Sequence, residues 1–208
     1  MKKNPNIGIL ALQGDFAEHA AKLRELGCIA TEIRRSNELE GLDGLIIPGG
    51  ESTTNAILED ALTELDLRNP IPETRYPVRI FDAIKEKGKQ GFPIWGTCMG
   101  SILLAKEIEG STQGRIGIMD ISVRRNAFGP QRESSEIQLS IPVLGDEPFP
   151  GIFIRAPLFL KSGKNVEILS SLEEGFVMAR EGNLLATAFH PEITDDTRVH
   201  KYFLSMIS

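Results

Sequence analysis

A cysteine lies between two glycines in Gly96-Thr97-Cys98-Met99-Gly100, after the apolar run Phe92–Trp95 and before the helical-looking Ser101–Lys106. A glycine-x-nucleophile-x-glycine turn between strand and helix is a nucleophile elbow. Such a turn strains the nucleophile's backbone, and the flanking glycines remove side chains that would clash. The sulfur then meets a helix N-terminus, where the dipole and free N–H groups favour a thiolate. The N–H of Met99 would point at the oxyanion formed when that thiolate attacks a carbonyl carbon. An isolated cysteine is more often a buried, inert residue; here motif and setting agree on a nucleophile. Cys98 needs a base, and the base needs an orienting acceptor. Phe189-His190-Pro191-Glu192 supplies both after the strand-like Leu184–Ala188, where catalytic residues of α/β sheets gather. A third stretch, Pro48-Gly49-Gly50-Glu51-Ser52-Thr53-Thr54, follows another strand. Paired glycines turn N–H groups toward a ligand, which suits an oxyanion hole or anion site. No lysine follows them, so a Walker-type phosphate loop is excluded.

Other chemistries find less support. There are three histidines; His19 and His200 fall on helical stretches and read as helix-surface residues. Histidines and cysteines show no ligand spacing, so no metal is expected, and no dinucleotide fingerprint is present, so no cofactor is expected. Lys and Arg number 23 against 29 Asp and Glu, a net charge of -6, which disfavours sequence-independent nucleic-acid binding. No apolar run is long enough to span a bilayer. Pro5 and the polar Gln13-Gly14-Asp15 interrupt any signal-peptide reading of the start, so a cytoplasmic location is expected. The two cysteines allow one disulfide, but in a reducing compartment their reactivity matters more.

The elements that must position these residues alternate in the first half. Ile7–Leu12, Ile29–Ile33, Gly44–Ile47 and Phe92–Trp95 read as strands, and Phe16–Leu26 as a helix stopped by Gly27. Alternation of this kind argues for a parallel sheet flanked by helices. In the second half strand-like runs crowd together at Glu136–Ile141, Gly151–Ile154, Val166–Ser170, Phe176–Ala179 and Leu184–Ala188. Antiparallel strands added to the parallel core account for them. Val199, Phe203 and Ile207 share one face of a closing helix within Asp195–Ile207. With 208 residues and 41% apolar content, the expectation is one domain over 1–208. A proline-rich loop insertion is expected at about 66–78.

Taken in order, these stretches resemble the class I (triad) glutamine amidotransferases. More specifically, they resemble the glutaminase subunits of pyridoxal 5'-phosphate synthase, the PdxT family. Ala11-Leu12-Gln13-Gly14, the Gly-Gly-Glu-Ser-Thr-Thr run, Arg125-Asn126-Ala127-Phe128-Gly129 and Phe153-Ile154-Arg155-Ala156-Pro157 carry the specific part of the likeness. The resemblance implies a three-layer, flavodoxin-like α/β fold with a mixed, mostly parallel central sheet. It implies Cys98 as nucleophile, His190 as base and Glu192 as its orienter. Gly50 and Met99 would give the oxyanion-hole N–H groups. Gly50, Glu51, Ser52, Arg125, Ile154 and Arg155 would hold L-glutamine, and Gln13 would sit near the oxyanion site. The arginines suit the substrate's free carboxylate, and Glu51 its ammonium. The implied reaction is hydrolysis of L-glutamine to glutamate and ammonia through a cysteinyl thioester. Ammonia would pass to a TIM-barrel synthase subunit in a hetero-oligomer, which gives the expected classes hydrolase and lyase. Alternatives are the glutaminase of histidine biosynthesis and a non-catalytic regulatory module on the same fold. Met99 stands where relatives carry a small residue, and its bulk would narrow the pocket.

Overall fold

The structure, a computed structural model, describes residues 4–50, 79–127 and 134–207. The expected insertion at 66–78 lies outside the described residues, as do Glu51 and Ser52. Strand β1 (Asn6–Leu10) runs through helix α1 (Phe16–Glu25) into β2 (Ile29–Ile33), and β3 (Gly44–Ile47) follows. Helix α2 (Ile80–Lys89) leads to β4 (Ile94–Thr97), and α3 (Met99–Leu104) to β5 (Ala105–Ile108). Then come β6 (Met119–Arg124), β7 (Ser134–Leu139), β8 (Phe149–Ile154), β9 (Leu158–Ser162), β10 (Glu167–Leu172), β11 (Gly175–Glu181) and β12 (Leu184–Thr187). Helix α4 (Arg198–Ser205) closes the chain.

The main sheet runs β2-β1-β3-β4-β12-β11-β9-β6-β5, with β10 beside β11, and β7 and β8 pair as a separate hairpin. From β2 to β12 every neighbour is parallel. Beyond β12 the pairings to β11, β9 and β6 are antiparallel, and β5 returns to parallel with β6. The inner parallel strands are fully covered: β3, β4 and β12 are buried along their whole length. That explains why they read as continuous apolar runs rather than alternating ones. Hairpin strand β8 alternates instead: Phe149, Gly151 and Phe153 are buried and the residues between them half-buried. Helix α1 packs on β1 and β2, and α3 on β3, β4 and β12. Trp95, Phe149, Phe153, Phe159, Phe189 and Phe203 are fully buried in one continuous core.

Several element limits differ from those expected of the sequence. Strand β4 begins at Ile94, not Phe92, because the Phe92 N–H is spent on the Lys87 carbonyl at the end of α2. Helix α3 starts at Met99 and stops at Leu104, where Ala105 turns extended and enters β5. Helix α2 and strands β5, β6 and β9 are additions to the elements expected. Cys28 and Cys98 are both free and buried.

The order 2-1-3-4 reverses direction between β1 and β3. Ligands of open α/β sheets bind at such a switch point, beyond the carboxyl ends of the strands. The residues after β1, β3, β4 and β12 are Gln13–Asp15, Gly49–Gly50, Cys98 and His190. All of them line or adjoin one cavity.

Candidate active site

Cys98 is the residue between β4 and α3, and its backbone has φ 45° and ψ -107°. A non-glycine residue there is strained, at a cost of about 1–3 kcal/mol that the surroundings must offset. The surroundings are specific. The Cys98 N–H donates to the Thr187 carbonyl on β12 at 2.8 Å, extending the β4–β12 pairing by one bond. The Ser101 hydroxyl donates to the Cys98 carbonyl at 2.6 Å. A Cβ on Gly100 would collide with the Ile47 carbonyl oxygen, so α3 can approach β3 only with glycine at that position. The sulfur lies 3.8 Å from the Ile154 carbonyl oxygen and is 5% exposed as a residue, at the wall of the cavity.

His190 stands at the end of β12, the strand next to β4 with Thr187 opposite Thr97. Its N–H donates to the Ile152 carbonyl at 2.8 Å, joining the β7–β8 hairpin to the end of β12. Pro191–Ile193 forms a single 3-10 turn that brings Glu192 back beside the imidazole. His190 Nδ1 donates to Glu192 Oε1 at 2.7 Å. Nδ1 also lies 3.3 Å from Asp15 Oδ2. Burial opposes a charge on His190, but hydrogen bonds to Asp15, Cys98 and Glu192 outweigh it and push its pKa up to about 12. Burial raises the Glu192 carboxyl, with His190 pulling against it. Asp15 is held below the usual carboxylate range by its bond to His190.

The cavity has a volume of about 300 Å³, at the small end for small-molecule sites. Cys98 and His190 line it together with Gly50, Met99, Ile154, Arg125 and Arg155. The structure therefore brings together every sequence-proposed site residue that it describes, apart from Glu192, which stands behind His190. Arg125 donates to Gln113 Oε1 at 2.8 Å, and Arg155 has a positive φ of 45°. Gly50, with φ 143°, packs against the Gln13 side chain. Met99 is 1% exposed and contributes to the cavity wall.

Two features of the site were not expected of the sequence. Asp15 precedes the first turn of α1 and offers His190 a second carboxylate. A Cβ on Gly49 would strike the His190 ring and Asp15, so the glycine pair also makes room for the imidazole. The second is a correction: His19 and His200 are fully buried, not on helix surfaces. His19 Nδ1 is 3.1 Å from His200 Nε2, and His19 Nε2 is 3.2 Å from Thr97 Oγ1 and 3.4 Å from Glu192 Oε2. Asp15 is the residue before α1 and His19 lies one turn into it, with the His19 N–H donating to the Asp15 carbonyl at 3.4 Å. That spacing, directly after the first parallel strand, was the available signal. Ligand atoms of Asp15, His190 and Glu192 also lie within 4.8 Å of one another.

Known proteins match this arrangement along almost the whole chain. The family model described as the SNO glutamine amidotransferase family matches residues 9–208. The chain is 49% identical over 201 residues to "Pyridoxal 5'-phosphate synthase subunit PdxT" of Moorella thermoacetica, covering 97% of this chain and 98% of that one. It is 50% identical over 198 residues to the protein of the same name from Pelotomaculum thermopropionicum, covering 95% and 93%. A solved structure titled "Crystal structure of glutamine amidotransferase" superposes with a TM-score of 0.83 at 44% identity, over 97% of this chain and 98% of the other. A chain of PurLQS from Thermotoga maritima, with TM-score 0.64 and 15% identity over 100% of both chains, shares the fold. The fold is the three-layer class I amidotransferase fold that the sequence leads one to expect. One expected class is corrected: lyase does not apply. Glutaminase relatives cut an amide with water, which is hydrolysis, whereas a lyase eliminates without it. With the match running over residues 9–208 and identities near one half, the chain belongs to the SNO glutamine amidotransferase family.

Proposed function

We propose that this chain is the glutaminase subunit of a pyridoxal 5'-phosphate synthase, with Cys98, His190 and Glu192 as its triad. One observation carries the assignment of residues: a cysteine in a strained elbow and a carboxylate-held imidazole on the adjacent strand share a cavity. The Cys98 thiolate attacks the side-chain amide carbon of L-glutamine, and the N–H groups of Gly50 and Met99 receive the oxyanion. His190, which holds its proton, gives it to the departing ammonia. Water then loses a proton to His190 and cleaves the γ-glutamyl thioester, releasing glutamate. Glu192 keeps the imidazole oriented and stabilises its charge. Arg125 and Arg155 bind the substrate's carboxylate. Gly50 and Ile154 line the amino-acid site; a substrate-binding role is also proposed for Glu51 and Ser52, which lie outside the described residues.

Ammonia released into water protonates and is lost to synthesis, so a synthase partner must receive it directly. The names of the relatives support a TIM-barrel pyridoxal 5'-phosphate synthase subunit in a hetero-oligomer. They also set aside the glutaminase of histidine biosynthesis. One domain over 1–208 is supported by the continuous core and the unbroken main sheet. No helix among the described residues is long and apolar enough to cross a membrane. A nucleophilic thiol and a second free cysteine elsewhere in the chain favour a reducing compartment, hence the cytoplasm.

The test is glutamate release with and without the synthase partner. Cys98→Ala should abolish it, by at least about 1000-fold, and still co-purify with the synthase. Undiminished glutamate release by that variant would refute the assignment.

A further inference from the structure

Behind the triad lies a second layer of imidazoles. Glu192 is 3% exposed, and only its Oε1 meets His190. Its other oxygen, Oε2, has no well-aligned hydrogen bond among the described residues. A buried carboxylate oxygen left that way is costly and free to rotate off its target. His19 Nε2 lies 3.4 Å from it.

Whether His19 donates depends on its tautomer, and the surrounding atoms decide it. Both rings are held neutral: burial drives the His19 pKa well below the ordinary value, with His200 and His190 adding to this, and burial lowers His200 to about 3. One proton must therefore lie between His19 Nδ1 and His200 Nε2, which are 3.1 Å apart. If it belongs to His19, then His19 Nε2 presents a lone pair to Glu192 Oε2, lone pair against lone pair. His200 would then bury an N–H at Nδ1, which has no partner among the described residues. If it belongs to His200, both conflicts vanish. His200 Nε2–H donates to His19 Nδ1, and His200 Nδ1 is a bare acceptor, the cheaper group to leave unpaired. His19 Nε2–H then donates to Thr97 Oγ1 at 3.2 Å and turns its positive edge toward Glu192 Oε2, 3.4 Å away. Trp95 and Phe203 wall in this arrangement, with the Trp95 ring edge-on to both imidazoles.

We infer that His19 is a positioning residue of the reaction: its Nε2–H edge, 3.4 Å from the second oxygen of Glu192, steadies that oxygen electrostatically, and His200 fixes the tautomer that makes this possible. The inference rests on the triad reading and deepens it. The chain of contacts runs from His200 on α4, through His19 on α1, to Glu192 and then His190. The charged or titratable groups facing it are Glu192 and His190 from the segment after β12, Asp15 before α1, and Lys22, whose charge acts on His200. Thr97 faces it from β4.

The experiment uses the full chain with its synthase partner and follows glutamate release against pH. His19→Leu removes the donor, whereas His19→Gln keeps a donor near the Nε2 position. His19→Leu should lose more than about ten-fold in kcat with KM within about three-fold, as befits an interaction serving the transition state. Its acidic limb should move up by about one pH unit, because an unheld Glu192 gains a proton more easily. His19→Gln should recover kcat to within about three-fold of wild type. A His19→Leu enzyme with wild-type kcat and pH profile overturns the inference, as does a Gln variant as impaired as Leu. Long-range 1H–15N correlation on the unsubstituted protein decides it independently of any variant's folding. Both His19 and His200 should carry their proton on Nε2, and an Nδ1–H tautomer at His19 sinks the proposal. Absence of glutamate release from the wild-type complex would instead count against the proposed function.

Discussion

At the scale of single residues, two carboxylates compete for one imidazole nitrogen. Glu192 lies 2.7 Å from His190 Nδ1 and is fully enclosed; Asp15 lies 3.3 Å away, with its side chain 39% exposed. Solvent screens the exposed partner, so its contribution to orientation is the smaller one. Asp15→Asn should therefore lower kcat less than about ten-fold, while Glu192→Gln should lower it more than about 100-fold. Asp15 still supports the charge on His190. Its removal should bring the alkaline limb of kcat/KM down by about one pH unit. Steady-state glutaminase kinetics of both variants across pH checks this; equal losses would mean that the carboxylates share the task. Cys98 and His190 stood out in the sequence as the proposed nucleophile and base because each has a local signature: glycines two residues either side of Cys98, and a carboxylate two residues after His190. His19 and His200 have none. A histidine on an amphipathic helix looks the same in sequence whether it faces water or a carboxylate, and only the approach of α1 to the turn after β12 distinguishes the two.

At the scale of elements, the elbow is the most demanding piece. Helix α3 leaves β4 so sharply that Gly100 touches the backbone of β3. Gly100→Ala should destabilise the chain by about 1–3 kcal/mol, because a methyl against a backbone carbonyl forces the two elements apart. Denaturant midpoints should report it, with a loss of glutaminase activity since the sulfur moves with α3. Strands β1, β3 and β4 were readable since burial on both faces makes them almost uniformly apolar, and the more exposed edge strand β2 was readable by its alternation. Strand β6 alternates cleanly, with Met119, Ile121 and Val123 buried, but it follows a glycine-broken stretch that hides its start. Strand β9 has only Leu158, Phe159 and Leu160 before Lys161 and Ser162. A run so short does not separate from the preceding loop by pattern alone. Helix α2 is amphipathic, with Ile80, Phe81 and Ile84 buried, yet its exposed face carries most of its residues and resembles a loop.

At the scale of the whole molecule, three buried imidazoles make opposite demands of pH. His200 has a folded pKa of about 3, below its unfolded value near 6.5, and His19 is depressed likewise. Their stabilising effect is complete above pH 6.5 and is lost as pH falls, by up to about 1.4 kcal/mol per pH unit for each. His190 is raised to about 12, so its effect is complete below pH 6.5 and is lost as pH rises toward 12. Unfolding free energy should therefore peak near pH 6–7. His200→Gln should flatten the acid side by up to one histidine's slope, measured by denaturant titration at pH 4.5 to 7. An unchanged acid slope would show that His200 takes up its proton in the folded chain.

The backbone of His190 carries a further implication. Its N–H is bonded to Ile152, the middle of a strand whose last residue, Ile154, turns its carbonyl toward the Cys98 sulfur. One ribbon thus grips the base at one rung and faces the nucleophile at the next. A change to the backbone of this ribbon would therefore disturb the seat of the imidazole and the wall beside the sulfur at once.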